Sequence, residues 1–320
     1  MTEFELIERF FTRPKSGALV GNGDDCAVIA PAPGQAFAVT TDTLIEGRHF
    51  LPTIDPFKLG RRIVNVNLSD IAAMGAKPRF ALLSLTLATV DPAWLARFSS
   101  GLWAALDAHQ MELVGGNTTK GQLAIAMTAF GELPLDAPLT RSGARAGDEL
   151  WVSGPLGDAG WALYCMIGEI KAEATAGQIA RYESPVARVD LGIALRGIAT
   201  SCIDISDGLL SEAAHLARAS NVDIDIDFSS IPTGLSDALQ SLELGAMARR
   251  CLLATGDAYE LLFTAAPAQH DEVQRLLHQL HLAGACIGRV SHAGTTARVR
   301  VRDAQWREMD IAAKGWDHFA

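Results

Sequence analysis

Five short clusters of carboxylate, hydroxyl and amide side chains could do chemistry in this sequence: Gly23-Asp24-Asp25, Thr40-Thr41-Asp42, Asn67-Leu68-Ser69-Asp70, Gly115-Gly116-Asn117-Thr118-Thr119 and Asp204-Ile205-Ser206-Asp207-Gly208. Each is expected where a regular element begins or ends. Their side chains offer oxygen ligands, which hard divalent cations take; Mg2+ keeps part of its water and shares the rest of its shell between a few carboxylates and substrate phosphates. Together the clusters point to a dispersed magnesium site and to phosphate chemistry. Singly, each has an ordinary explanation. Gly23-Asp24-Asp25 could form an Asx turn, and Asp204 and Asp207 could simply cap a helix. Asp70, beside Ile71-Ala72-Ala73-Met74, is harder to dismiss, because a carboxylate buried there needs a partner or a metal.

The elements that must position these residues follow from apolar periodicity and punctuation. Phe4, Ile7 and Phe11 predict an amphipathic helix over 1–11, followed by a glycine-flanked loop around 21–25 and β-like runs at 27–30 and 36–41, so that Asp42 ends a strand. Asp55, Pro56 and Gly75 bracket a helix over 57–74 that carries Asn67 and Asp70 on one face. Strands are expected at 80–88, 112–114 and 123–130, with a helix over 92–109 capped by Asp91. The Gly-, Pro-, Ala- and Arg-rich stretch 133–148 is the natural boundary, giving domains 1–137 and 138–320. Beyond it come strands at 149–153, 222–228, 261–265 and 287–290, and helices over 185–198 and 208–219, the latter capped by Asp207. Asp223, Asp225 and Asp227 alternate as one solvated strand face would.

Composition narrows the function. A net charge of -10 argues against nucleic acid or an anionic membrane as partner, and an acidic protein handling phosphates needs cations as intermediaries. The five cysteines form no C-x-x-C pair, which suits a reducing cytoplasm, and Cys26 reads as a small buried filler. The start lacks the features of a signal peptide and the most apolar run, 80–88, is too short to span a bilayer, so a soluble protein is expected. No Walker loop or dinucleotide fingerprint is present, and an EF-hand fails because Phe228 stands where glycine is required.

Taken in order, G-N-G-D-D-C-A, T-T-D-T-L-I-E-G-R-H-F, V-N-L-S-D-I-A-A-M-G-A-K-P, G-G-N-T-T, L-T-R-S-G, D-I-S-D-G-L and G-W-D-H-F resemble the thiamine-monophosphate kinase family over nearly the whole chain. The resemblance implies a mixed α/β, two-domain aminoimidazole-ribonucleotide-synthetase-like architecture. It further implies a cytoplasmic homodimer whose N-terminal sheets meet in a barrel, the first domain binding ATP and Mg2+ and the second completing the active site. The implied reaction is direct transfer of the γ-phosphoryl of ATP to thiamine monophosphate, with several Mg2+ ions.

By motif, Asp25, Thr40, Thr41, Asp42, Asp70, Asn117, Asp204 and Asp207 resemble the family's magnesium ligands, with Asp24 as a supporting partner and Asp42, Asp70 and Asp207 central to catalysis. Gly116, Asn117, Arg141 and Ser206 match positions that contact ATP; His49, Asp257 and Trp316 match positions that hold the thiamine phosphate, Trp316 by stacking. The chain departs from the family pattern at Asn117, where aspartate is usual, and at Asp257-Ala258, where Glu-Asp is usual. Two other readings remain open here: an ATP-dependent ligase or synthetase of the same superfamily, and an inactive Mg-ATP-binding dimer.

Overall fold

In the computed structural model of the chain, residues 2–14, 17–21 and 25–311 are described. Asp24 and Trp316 lie outside the described residues. The chain divides into one unit of residues 1–71 and 76–136 and another of residues 72–75 and 137–320.

The first unit opens with α1 (Glu3–Phe11), started by a capping box: Thr2 Oγ1 accepts the Glu5 N–H and Glu5 Oε2 accepts the Thr2 N–H. Then follow β1 (Gln35–Ile45), α2 (Pro56–Ala73), β2 (Lys77–Leu87), α3 (Pro92–Ala108), β3 (Glu112–Lys120) and β4 (Ala124–Pro134). The strands form one sheet in the order β1-β4-β2-β3, antiparallel except for the β2–β3 pair. Punctuation sets α2 as expected: Asp55 Oδ1 accepts the Phe57 N–H at 2.8 Å, Pro56 starts the helix and Gly75 turns the chain at φ +66°. Asp91 caps α3 through the Ala93 and Trp94 N–H groups. Gly60 on α2 and Gly101 on α3 let the two helices approach backbone to backbone; a Cβ on Gly101 would overlap the Phe57 carbonyl oxygen, and one on Gly60 that of Phe98.

Pleat alternation gives the sheet two unlike faces. Leu44, Ile125, Met127, Leu83 and Leu85 are buried, whereas Val39, Thr41, Thr43, Ile45 and Ser84 on the other face are exposed. At one end of the sheet, Phe37 packs edge-to-face on Phe80 and Phe130 at 6.1 and 6.0 Å.

The second unit contains β5 (Glu149–Val152), α4 (Asp158–Met166), α5 (Ala176–Glu183), α6 (Val189–Ala194), β6 (Ala199–Asp204), α7 (Leu209–Ser220), β7 (Val222–Asp227), α8 (Ser236–Gln240), α9 (Gly245–Ala254), β8 (Leu261–Ala265), α10 (His270–Gln279), β9 (Ala285–His292) and β10 (Val299–Arg302). Its sheet runs β10-β7-β9-β5-β8-β6, with only β10–β7 parallel. Its core joins Leu150, Val152, Ile203, Leu216, Ile224, Ile226, Leu262 and Ile287. Among the described residues, no helix is long and apolar enough to cross a membrane.

Several expectations are corrected. Thr40-Thr41-Asp42 lies within β1 and Gly115 to Thr119 within β3, so these clusters are held by strand pairing and do not sit at element ends. The run 27–30 is reduced to an isolated bridge between Val20 and Val28. The helix expected over 185–198 is confined to α6, and α4 and α5 precede it. Asp223 and Asp225 are not a solvated face. Both are buried, because Arg300 Nη2 reaches Asp223 Oδ2 at 2.5 Å and Arg302 Nε reaches Asp225 Oδ1 at 2.7 Å. Finally, Cys26 is exposed and not a core filler.

Candidate active site

In the first unit, β1 and α2 bring four of the singled-out groups together. Thr40 and Asp42 share the buried-side face of β1, against α2. Thr40 Oγ1 donates to Asp70 Oδ2 at 2.6 Å, and Asn67 Oδ1 accepts the Asp42 N–H at 3.2 Å. Asn67 is itself fixed by its Nδ2 donating to the Ile63 carbonyl one turn earlier. The three-residue spacing of Asn67 and Asp70 thus docks one helix face onto one strand, and Asp70 is half-buried with a hydroxyl partner in place.

Two other expected ligands fall on the opposite face. Thr41 Oγ1 donates to the Met127 carbonyl and accepts from Thr128 Oγ1. Asn117 is registered with Ser84, Ser84 with Ala126 and Ala126 with Thr43, a row on the exposed face, whereas Gly116 is in the row of Leu83, Met127 and Asp42. Gly116 has φ +154°, and a Cβ there would overlap the Leu83 carbonyl oxygen, so the strand needs glycine at that point. Asp25 is exposed in a bend. His49 Nδ1 accepts the Ile45 N–H at 3.0 Å, which leaves Nε2 as the N–H donor of the neutral ring. The His49 carbonyl accepts from Arg62 Nη2 at 3.3 Å, and Arg62 is buried.

In the second unit, Asp204 ends β6, and Ser206 and Asp207 form the turn into α7. Asp207 does not cap that helix. The N-cap is Gly208, at φ +116° and with no side-chain cap bond, while the Asp207 N–H is taken by Glu212 Oε1 at 3.2 Å. Residues 255–260 run alongside this turn: the Asp257 N–H reaches the Ser206 carbonyl at 2.9 Å and the Tyr259 N–H reaches that of Ile205 at 2.8 Å. Tyr259 Oη donates to Asp257 Oδ1 at 3.3 Å. Arg141 is exposed, its carbonyl accepting from Ser220 Oγ at the end of α7.

Glu212 was not singled out by sequence, where it reads as an ordinary first-turn acid of an amphipathic helix. It is buried, its Oε2 has no hydrogen-bond partner among the described residues, and burial pushes its carboxyl up to about 8, aided by the charge of Asp207 and, more weakly, Asp204, while the N–H of Asp207 opposes. A folded-state value above the ordinary 4.5 means the folded protein binds more protons than the unfolded chain between these values. That contribution is complete below about 4.5 and is lost as pH rises through about 8. Chelator-treated protein is therefore expected to lose on the order of a few kcal/mol between pH 6 and 8.5. Glu212→Gln should flatten that slope, as read from urea midpoints at each pH.

Among the described residues no three His, Cys, Asp or Glu side chains form a ready cation cage. The first unit offers oxygen ligands in ones and twos around Asp70; the second holds, beside Asp207, a buried Glu212 oxygen with no hydrogen-bond partner among the described residues. Oxygen ligands of this kind, in either unit, fit Mg2+, which completes its shell with water and substrate phosphate.

Residues 23–133 match the family of AIR synthase related protein, N-terminal domain, and residues 145–300 match the corresponding C-terminal domain family. The chain is 40% identical over 324 residues to the thiamine-monophosphate kinase of Escherichia coli strain K12, covering 99% of this chain and 98% of that protein. Among solved structures, thiamine-monophosphate kinase from Stenotrophomonas maltophilia K279a has 39% identity and a TM-score of 0.81, over 92% of this chain and 94% of that one. AaThiL complexed with AMPPCP and TMP has 30% identity and a TM-score of 0.75, over 91% and 89% of the two chains.

Proposed function

The chain belongs to the thiamine-monophosphate kinase family, and from that premise we propose that it transfers the γ-phosphoryl of ATP to thiamine monophosphate, giving thiamine diphosphate, with Mg2+ held by its dispersed acidic motifs. The observation that carries this is likeness over nearly the full length to enzymes of that name, in sequence and in fold. The ligase reading is not favoured by relatives that are kinases, one of them solved with an ATP analogue and TMP.

The acceptor is a phosphate oxygen whose second pKa is about 6, so it is already largely ionised near neutrality and needs no strong general base. Repulsion is the larger obstacle. Two like unit charges at about 4 Å cost on the order of 4 kcal/mol at an effective dielectric near 20, and ATP meeting a phosphate multiplies that cost. When bound, Mg2+ offsets this charge and aligns donor and acceptor for in-line displacement. In this reading Asp42, Asp70 and Asp207 are the central carboxylates, with Asp25, Thr40 and Asp204 as further oxygen ligands, while Thr41 and Asn117, whose side chains lie on the opposite face of the first sheet, serve a different one of the several Mg2+ ions. Thr40 orients Asp70 through its hydroxyl, and Asn67 sets the backbone at Asp42.

Gly116, Asn117, Arg141 and Ser206 hold ATP. On the acceptor side we assign His49, Asp257 and Trp316 to thiamine monophosphate, Asp257 with its carboxylate accepting from Tyr259 Oη and Trp316 in the role of a stacking aromatic. No residue of the chain is a covalent nucleophile in this scheme. Residues 1–137 act as the ATP- and Mg2+-binding and dimerisation domain, residues 138–320 as the domain that completes the active site. The enzyme works as a cytoplasmic homodimer, its N-terminal sheets closing a barrel; the exposed, apolar-bearing outer strand β1, with Val39 and Ile45, supports this.

Purified protein with Mg-ATP and thiamine monophosphate should yield thiamine diphosphate by chromatography, and free thiamine should not be phosphorylated; absence of product at high magnesium would sink the assignment. Asn117 keeps an oxygen but lacks the charge of the family's usual aspartate. Asn117→Asp is expected to lower the Mg2+ concentration for half-maximal rate several-fold, a change of about 1 kcal/mol. Coincident Mg2+ titrations of the two proteins would remove Asn117 from the metal shell.

A further inference from the structure

Glu260 is completely buried, yet its carboxylate is fully used. Oε1 accepts from Arg181 Nη1 at 2.8 Å and Arg188 Nη2 at 2.5 Å; Oε2 accepts from Arg188 Nε at 2.7 Å and Ser153 Oγ at 2.5 Å. Four donors fill the roughly four acceptor positions of a carboxylate. Gly154 leaves no other place for the group, since a Cβ there would lie 2.7 Å from the carboxylate atoms. Ser153 is fixed in turn, its Oγ accepting the Leu261 N–H at 2.8 Å.

From this anchor the backbone runs straight to the acidic turn. The Glu260 carbonyl accepts the Ile205 N–H at 2.8 Å, the Tyr259 N–H donates back to the Ile205 carbonyl, and the Asp257 N–H donates to that of Ser206. These bonds continue the β6–β8 ladder past Asp204–Leu261 into irregular backbone. Gly256 permits the approach, because a Cβ there would overlap the Ser206 carbonyl oxygen. Asp257 and Tyr259 are held at φ +66° and +49°, a conformation that non-glycine residues keep only when their surroundings enforce it.

We infer that Glu260, clamped by Arg188, Arg181 and Ser153, is a positioning residue that imposes the shape of the 255–260 loop and, through its backbone bonds, the placement of Ser206 and Asp207. Its link to catalysis rests on the assignment of Ser206, Asp207 and Asp257 to substrate and metal given above. Glu260 touches no substrate in this scheme and acts only through the backbone it holds. The clamp is a charge pair with directional geometry, so a neutral isostere or a non-bidentate cation should loosen it while leaving the rest of the sheet in place.

The test compares Glu260→Gln and Arg188→Lys with a control, Asp223→Asn, which breaks a buried Asp–Arg contact at the opposite side of the same sheet. Hydrogen exchange of the full chain, read by mass spectrometry, should accelerate in peptides covering 203–211 and 255–261 for both clamp variants and not for the control. AMPPCP affinity in excess Mg2+ should weaken about tenfold, and the KM for thiamine monophosphate should rise similarly, because small displacements of positioning groups are costly. At equal loss of thermal midpoint the control should keep both constants. If the clamp variants melt earlier but exchange in those peptides stays at the wild-type rate, the inference is overturned; accelerated exchange with unchanged binding equally overturns the positioning role. Failure of the wild-type protein to make thiamine diphosphate is read separately and bears on the functional assignment alone.

Discussion

Asp70→Asn is expected to lower the rate of thiamine diphosphate formation by about two to four orders of magnitude, because in the proposed mechanism Asp70 holds the counter-ions of the transferring phosphoryl group and the substitution removes that charge. The asparagine keeps the size of the side chain and one oxygen able to accept from Thr40, so the α2–β1 contact made through Thr40 and through Asn67 should survive. Loss of rate with a thermal midpoint within a few degrees of wild type would separate chemistry from folding. Thr40→Val gives the graded companion: it deletes the 2.6 Å hydroxyl contact and leaves the carboxylate, and should cost about tenfold. A rate for Asp70→Asn within about tenfold of wild type, at any magnesium concentration, would remove Asp70 from the centre of the mechanism.

The second large effect is on stability and has an unusual sign. Exchanging a helix-interior glycine for alanine normally gains up to about 1 kcal/mol from propensity. At Gly101 steric overlap wins, because the new Cβ would collide with the carbonyl of Phe57, a backbone atom that no rotamer change can move. Overpacking of this kind costs about 1–3 kcal/mol and here requires α2 and α3 to separate. Gly101→Ala should therefore lower the thermal midpoint by several degrees, and it should also reduce activity, since α2 carries Asn67 and Asp70. Gly177→Ala is the matched contrast: that glycine is exposed on α5 and its Cβ would meet nothing closer than 3.9 Å, so the same substitution should be neutral or stabilising. Calorimetry of the two variants reads both signs.

What could be read from sequence was local punctuation. Asp55-Pro56 with Gly75, and Asp91-Pro92, bracket α2 and α3 within a residue of their observed ends because caps and stops act on adjacent backbone. The chemistry of the acidic clusters was legible for the same reason: residue type alone specifies hard oxygen donors. Face and depth were not legible. Gly115 and Gly116 discourage a strand assignment by propensity, yet pairing with β2 carries β3 through them, and only that register shows Asn117 and Asp42 on opposite faces. Asp223 and Asp225 look solvated until Arg300 and Arg302, more than seventy residues away in sequence, are paired with them. α4 opens on Gly157 in a left-handed conformation without a side-chain cap, so it carries no start signal of the usual kind. Glu212 and Glu260 were passed over because a buried carboxylate is identified by what surrounds it, and in both cases the surroundings come from tertiary contact.

The cysteines divide the molecule in a way that matters to anyone modifying it. Cys202 and Cys251 are buried, and burial pushes both thiols up, Cys251 to about 12; the half-buried Cys165 and Cys286 are also raised. Electrophiles act on thiolates, so at neutral pH these four present little reactive sulfur. Cys26 is exposed and follows Asp25 directly. An alkylating fluorophore should therefore settle on one position, adjacent to a proposed metal ligand, and the native chain carries its own attachment point for following cation and nucleotide binding by light.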